Sequence, residues 1–231
     1  MKQFEAEIID IIDETPDVKT FILKPGLDFI PGQYCTIQII GKEDISPRPF
    51  TFSSSPTDKK NFSLTIKKVG QFTTEMFKLK KGSKILVNGP LGNALLFDEN
   101  IKDNIAMVAG GVGVTPFMSM LRYAISKKLT NKFILFYSCR TRKDIIFKGE
   151  LSSMPSNIKV IFFLTRENPK QWQGELGRID EARLKKYAKN VKSFRWYLAG
   201  PPAMVNSTKE LLKKLGVTNI HSEPWQIPGK N

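Results

Sequence analysis

The chain has 231 residues, 41% of them hydrophobic and 25% charged, which excludes a disordered polymer and suffices for two modest domains with real cores. One histidine (His221) and two cysteines (Cys35 and Cys139) exclude a four-cysteine iron-sulfur cluster or a closed zinc site. No metal site is expected, and difficult chemistry falls to an organic cofactor. The formal net charge of +14 is unevenly spread: residues 1–100 hold 13 Lys/Arg and 13 Asp/Glu, and residues 101–231 hold 23 and 9. The second half is therefore expected to meet an anion, whether a phosphate-bearing ligand, an acidic protein, a nucleic acid or a membrane surface.

The opening MKQFEAEIID carries acids where a secretion signal needs an apolar core, so a cytoplasmic protein is expected. Strands are expected at Phe4–Ile12, Val18–Leu23, Tyr34–Ile40, Pro49–Ser53, Phe62–Lys67 and Lys84–Asn88. Pro25-Gly26, Pro31-Gly32, Lys81-Gly82 and Gly89-Pro90 punctuate them. Six strands at this spacing favour an antiparallel β-barrel, with a sandwich as the alternative. The segment around Phe97–Asn104 reads as a junction, giving domains 1–98 and 99–231.

The uncharged stretch Asn104–Leu121 has 18 residues but contains three glycines and a proline, so it reads as strand, loop and helix rather than as a stable membrane insertion. From there apolar runs at Ile105–Ala109, Phe133–Tyr137, Val160–Leu164, Trp196–Ala199 and Val217–Ser222 alternate with helical segments. The helices are expected at Thr115–Ser126, Phe147–Met154, Glu181–Lys189 and Pro202–Leu215. Such alternation implies an α/β domain with a five-stranded parallel sheet.

Ligands of an open α/β sheet bind beyond the carboxyl ends of its strands, so the residues after each strand are the candidates. After the first comes Gly110-Gly111-Val112-Gly113-Val114-Thr115-Pro116, a turn that lets a phosphate approach backbone N–H groups at a helix start. Pro116 stands where a dehydrogenase fingerprint would have a third glycine, which argues against a simple Rossmann dehydrogenase. After the second and third strands come Ser138-Cys139-Arg140 and Thr165-Arg166-Glu167-Asn168, arginines that suit a 2′-phosphate. Gly200-Pro201-Pro202 follows the fourth.

The first half offers a second anion candidate in Ser46-Pro47-Arg48-Pro49-Phe50-Thr51-Phe52-Ser53, an arginine held extended between prolines. Beyond it, Phe50 and Phe52 should point to one face of a strand and Thr51 and Ser53 to the other. Lys67-Lys68-Val69-Gly70-Gln71-Phe72-Thr73-Thr74 then leads from a strand into a short helix with Thr near its N-cap. A basic nucleic-acid-binding α/β module is the alternative of another class, supported only by the charge of the second half.

Taken in order, RPFTFSSSP, KKVGQFTTEM, VNGPLG, GGVGVTP, LTREN, LAGPPAM and HSEPW resemble the ferredoxin-NADP reductase superfamily of flavoprotein oxidoreductases. The resemblance implies an FAD-binding antiparallel barrel followed by a pyridine-nucleotide domain. It implies that Arg48 binds the flavin diphosphate, that Phe50 stacks on the isoalloxazine, and that Thr51 hydrogen-bonds near flavin N5, with Pro49, Phe52 and Ser53 completing that strand. The family more often has Tyr and Ser where Phe50 and Thr51 stand. Ile66, Lys67 and Val69 resemble backbone contacts to the flavin, and Gly70, Thr73 and Thr74 the diphosphate loop. Gly111, Gly113, Thr115 and Pro116 match the nucleotide loop, and Gly200, Pro201 and Met204 the Gly-Pro-x-x-Met turn. Thr165 and Arg166, with Ser138, Arg140 and Arg178, fall where NADP-using members hold the 2′-phosphate. Trp225 resembles the aromatic covering the other flavin face, and Glu223 the acidic residue of the proton path, making Thr51 and Glu223 the catalytic candidates.

Ala199 stands where the family frequently has Cys, and the chain runs six residues beyond Trp225. The implied function is electron transfer from NADPH, with NADH as the alternative donor, through FAD to a separate acidic carrier. That carrier would be a ferredoxin, a flavodoxin or an oxygenase component, with no nucleic acid involved. An NADH-dependent flavin, ferric or quinone reductase is the alternative within the superfamily. The sequence sets no oligomeric state.

Overall fold

The computed structural model describes residues 2–224. The chain forms two compact units, one of residues up to Glu99 with Thr115–Leu129, the other of Asn100–Val114 with the residues from Thr130 onward.

In the first unit the strands are β1 (Lys2–Thr15), β2 (Val18–Lys24), β3 (Tyr34–Ile39), β4 (Arg48–Thr51), β5 (Phe62–Lys67) and β6 (Lys84–Leu91). They form an antiparallel sheet in the order β4-β3-β6-β1-β2-β5. An isolated antiparallel bridge from Phe52 to Leu64 joins the chain just after β4 to β5, tying the two edges of the sheet into a barrel. Alternation fills its interior: Ile37 and Ile39, Phe21 and Leu23, Phe62, Leu64 and Ile66, and Ile85 and Val87 are all buried in one cluster. The short helix α1 (Gln71–Met76) adds Phe72 and Met76 to that cluster.

On β2 and β5 the opposite faces are also buried, and their polar groups satisfy one another. Thr20 Oγ1 and Thr65 Oγ1 lie 2.8 Å apart, Thr65 Oγ1 lies 2.9 Å from Ser53 Oγ, and Ser53 Oγ 2.8 Å from Ser63 Oγ. Thr20 Oγ1 also donates to Glu14 Oε1 at 2.8 Å. Four hydroxyls thus replace the water lost by burial. Helix α2 (Thr115–Ser126) joins this unit through Arg122, whose Nη1 donates to the Ser53 carbonyl at 2.6 Å.

The second unit is an α/β sheet of β7 (Asn104–Gly110), β8 (Phe133–Cys139), β9 (Ile158–Leu164), β10 (Glu175–Leu176), β11 (Phe194–Gly200) and β12 (Ile220–Pro224). All pairings are parallel, in the order β10-β9-β8-β7-β11-β12. The five expected strands are present, and the two-residue β10 adds a sixth at the edge. Between its neighbours β7 and β11 the chain order reverses direction, which is the topological switch point of such a sheet. Helices α3 (Lys148–Ser152), α4 (Glu181–Tyr187) and α5 (Pro202–Lys214) complete the unit. Phe136, Phe163, Trp196 and Leu198 are buried with Leu184 of α4 and Val205 and Leu212 of α5.

Several element bounds differ from expectation, two of them for reasons visible in the backbone. The helix expected from Phe147 starts at Lys148, because Phe147 adopts the left-handed conformation with φ 56° and acts as its N-cap. The last strand starts at Ile220 rather than Val217. Val217 N–H donates to Leu212 and Gly216 N–H to Lys213, the paired bonds of a Schellman motif that commit Val217 to the end of α5.

Candidate functional site

In the barrel unit, β4 pairs with β3 so that Arg48, Pro49, Phe50 and Thr51 lie opposite Ile37, Thr36, Cys35 and Tyr34. Arg48 is half-buried; its recorded hydrogen bond runs from Nη1 to the adjacent Pro47 carbonyl at 3.2 Å, and it forms no ion pair among the described residues. Phe50 is half-buried and stacks on Phe72, centroids 5.7 Å apart and 30° between planes. Phe52 is fully buried, stacked on Phe29 at 4.2 Å. Thr51 keeps part of its surface, whereas Ser53 is wholly buried with its hydroxyl shared between Ser63 and Thr65.

Beyond β5 the chain turns at Lys67, which pairs with Asp17 at 2.6 Å, while Ile66 is in the core and Val69 is 43% exposed. Gly70 is the N-cap of α1, and Thr73, three residues in, performs the capping. Its Oγ1 accepts from the N–H groups of Val69 at 2.8 Å and Gly70 at 3.0 Å. Thr73 therefore sits one turn deeper than a capping residue would, with a buried side chain, and Thr74 N–H donates to the Gly70 carbonyl at 2.9 Å. The hydroxyl of Thr73 shapes the loop from beneath.

In the second unit the loops on either side of the switch point interlock. A Cβ on Gly113 would lie 2.4 Å from the Ala199 carbonyl oxygen, and one on Gly110 would lie 2.7 Å from Pro201 Cδ and 2.8 Å from Met204 Sδ. At Gly113 glycine is required because backbone meets backbone, which leaves the turn Gly111–Val114 packed against the end of β11, whereas Gly110 lies against side chains. Thr115 and Pro116 are buried and open helix α2.

At the same carboxyl edge the β8 and β9 loops continue the sheet ladder. Thr165 N–H donates to the Cys139 carbonyl at 3.0 Å and Arg166 N–H to the Arg140 carbonyl at 2.9 Å. Arg140, Arg166 and Arg178 are exposed, and Ser138 is half-buried. Beside them Glu167 accepts from Arg142, through the backbone N–H at 2.6 Å and through Nε at 2.9 Å. Those bonds, the backbone one foremost, hold the Glu167 carboxyl below the usual carboxylate range.

Glu223 lies on β12 opposite Ala199 of β11, and burial pushes its carboxyl above the ordinary value. Trp225 lies outside the described residues. Among the described residues no group of three His, Cys, Asp or Glu side chains is arranged to hold a metal, and no helix is long and apolar enough to cross a membrane.

The pair formed by Arg142 and Glu167 and the tie from Arg122 to Ser53 escaped sequence reasoning. The second joins residues 69 apart and has no local signal; for the first, an acid directly after Arg166 was the visible hint.

Comparison with known proteins matches residues 5–95 to the oxidoreductase FAD-binding domain and residues 107–210 to the oxidoreductase NAD-binding domain. The glycine betaine monooxygenase reductase subunit of Chromohalobacter salexigens is 31% identical over 94% of this chain and 62% of its own length. The chain thus spans about three fifths of that relative. NADH-cytochrome b5 reductase 1 of Eremothecium gossypii is 32% identical over 80% of this chain and 68% of its own. Among solved structures, the ferredoxin reductase in carbazole 1,9a-dioxygenase superposes with a TM-score of 0.87 at 25% identity, covering 97% of this chain and 70% of that one.

Proposed function

Since the chain belongs to the ferredoxin-NADP reductase superfamily, we propose that it is an NADPH-dependent FAD enzyme delivering electrons to a separate one-electron carrier. The carrier would be an acidic ferredoxin or flavodoxin, or an oxygenase component. One pairing supports this reading: an aromatic strand bearing an arginine without a carboxylate partner among the described residues, and a parallel sheet whose carboxyl edge presents interlocked backbone loops and exposed arginines.

The residues present fit both groups. Arg48 would neutralise the flavin diphosphate with the loop of Gly70, Thr73 and Thr74, and Phe50, backed by Phe72, would offer its ring to the isoalloxazine. Bound FAD supplies a hydride acceptor that can release electrons one at a time. Thr51 Oγ1 would orient the reacting edge by hydrogen bonding. Glu223, whose carboxyl burial holds above the ordinary value, would keep a proton on its carboxyl oxygen at a pH where an exposed glutamate has lost it. Gly111 and Gly113 would present backbone N–H groups to the nucleotide diphosphate, while Thr165, Arg166 and Arg140 would take its 2′-phosphate.

The charge of +14 carried by residues 101–231 supports an acidic carrier, since complementary charge mainly speeds encounter. This chain's two cysteines, both buried and not joined in a disulfide, suit a cytoplasmic setting. The test is direct. Purified or FAD-reconstituted protein should show flavin absorbance that NADPH bleaches, and should then reduce an acidic ferredoxin or flavodoxin faster at low than at physiological ionic strength. Protein that binds no flavin refutes the enzyme reading. A carrier rate that stays flat with salt, corrected for NADPH binding, refutes the acidic partner and leaves free flavin, quinone or ferric chelate.

A further inference from the structure

The ion pair at the arginine-lined edge of the sheet is superfluous as a fastening. The loops after β8 and β9 are already joined by Thr165 N–H and Arg166 N–H to the carbonyls of Cys139 and Arg140, and by Thr165 Oγ1 to the Cys139 carbonyl at 3.1 Å. Yet Glu167 spends its carboxylate on Arg142, taking both its backbone N–H and its Nε. The side chains are 50% (Arg142) and 27% (Glu167) exposed, a setting in which an ion pair adds little stability and another anion can displace it at small cost. Glu167 also follows Arg166 directly, so a phosphate bound at Thr165 and Arg166 arrives beside a negative charge.

We infer that Glu167 competes with the 2′-phosphate for Arg142 and so sets how strongly this protein prefers NADPH over NADH. The inference rests on the nucleotide reading above. With Glu167 in place, Arg142 is a phosphate ligand held in reserve, its charge cancelled by its neighbour. The carboxylate repels the 2′-phosphate, whereas a ribose 2′-hydroxyl meets no such penalty and can donate to it. Discrimination is thereby kept lower than the number of arginines would suggest. Glu167 is ionised through the neutral range as an exposed glutamate is, and the Arg142 N–H lowers its carboxyl further, so the competition operates whenever the nucleotide does.

Calorimetric binding of 2′,5′-ADP and of 5′-ADP to the FAD-loaded full chain reads this without turnover. Glu167→Gln should tighten 2′,5′-ADP about tenfold and leave 5′-ADP within about twofold. Adding Arg142→Ala to Glu167→Gln should remove most of the gain, leaving only the part due to relieved repulsion, and a gain kept in full overturns the role of Arg142. Glu167→Ala, which also drops the hydrogen bonds, should move 2′,5′-ADP in the same sense and serves if the glutamine variant is poorly folded. Unchanged 2′,5′-ADP affinity in a folded variant, or equal weakening of both probes, overturns the inference and makes Glu167 a fastening after all. Wild-type protein that binds neither probe overturns the nucleotide reading itself, and the inference with it.

Discussion

Substituting Gly113 by alanine tests the interlocked loops most directly. The added carbon would stand 2.4 Å from the Ala199 carbonyl oxygen, 2.6 Å from its carbon and 2.7 Å from Gly200 Cα, all backbone atoms that no rotamer change can move. Restoring ordinary contact requires the turn and the end of β11 to part by roughly 1 Å, an overpacking that typically costs about 1–3 kcal/mol. Reduced freedom of the unfolded chain returns only about 0.4–1 kcal/mol. At about 2–4 °C per kcal/mol for a chain of this size, the melting temperature should fall by several degrees. Because the displaced atoms belong to the turn that would face the nucleotide, KM for NADPH should rise tenfold or more, since misplacement by about 1 Å can cost a hundredfold. Gly111→Ala is the comparison: it meets nothing within 4 Å, and its φ of 53° costs it only local strain. Thermal melts and steady-state kinetics on both variants suffice. Wild-type melting and KM in Gly113→Ala would refute the close packing of the two loops.

Arg166→Ala should raise KM for NADPH about tenfold to over a hundredfold and leave NADH nearly unchanged; equal loss with both nucleotides in steady-state assays would make Arg166 structural. Thr65→Val keeps the shape of a buried side chain but removes the hydroxyl that links Thr20 to Ser53, and should cost about 1–3 kcal/mol in urea denaturation. A midpoint unchanged from wild type would show those hydroxyls to be otherwise satisfied. Glu175 accepts from Lys186, Tyr187 and Arg183, and these bonds, Lys186 first, bring its carboxyl from 4.5 to about 2. A lowered folded-state pKa stabilises above the unfolded value and is lost as pH falls towards 2. The urea midpoint of Glu175→Gln should therefore lie below wild type at pH 5 and converge with it by about pH 2, and parallel curves would contradict this.

The barrel was legible because its turns carry Pro-Gly pairs and its strands alternate, and the alternation of Phe50 and Phe52 with Thr51 and Ser53 survived folding. The parallel sheet was legible because strands buried on both faces are continuous apolar runs. What escaped had tertiary causes. β10 is two residues long and includes Glu175, which sits there because α4 supplies Arg183, Lys186 and Tyr187 around it. Thr73 looked like a capping residue by type, yet Gly70 is the N-cap and the hydroxyl caps from the third helical position. By alternation Ser53 falls on the face opposite Phe52, and only Ser63, Thr65 and Arg122 show how that face is covered.

The chain crosses between its two compact units three times, after Glu99, Val114 and Leu129. A fragment ending at Glu99 would hold all six barrel strands and still lack Arg122, which grips the Ser53 carbonyl at 2.6 Å, and Tyr123, which donates to Glu99 at 2.7 Å. A fragment ending at Leu129 would regain both and carry off β7, the strand between β8 and β11 in the other sheet. No single scission releases two whole units. Proteolysis in this stretch should yield pieces that remain together until denatured, at least one of them holding an element that the other's fold requires, and gene splitting here should give two complementing halves rather than two independent modules.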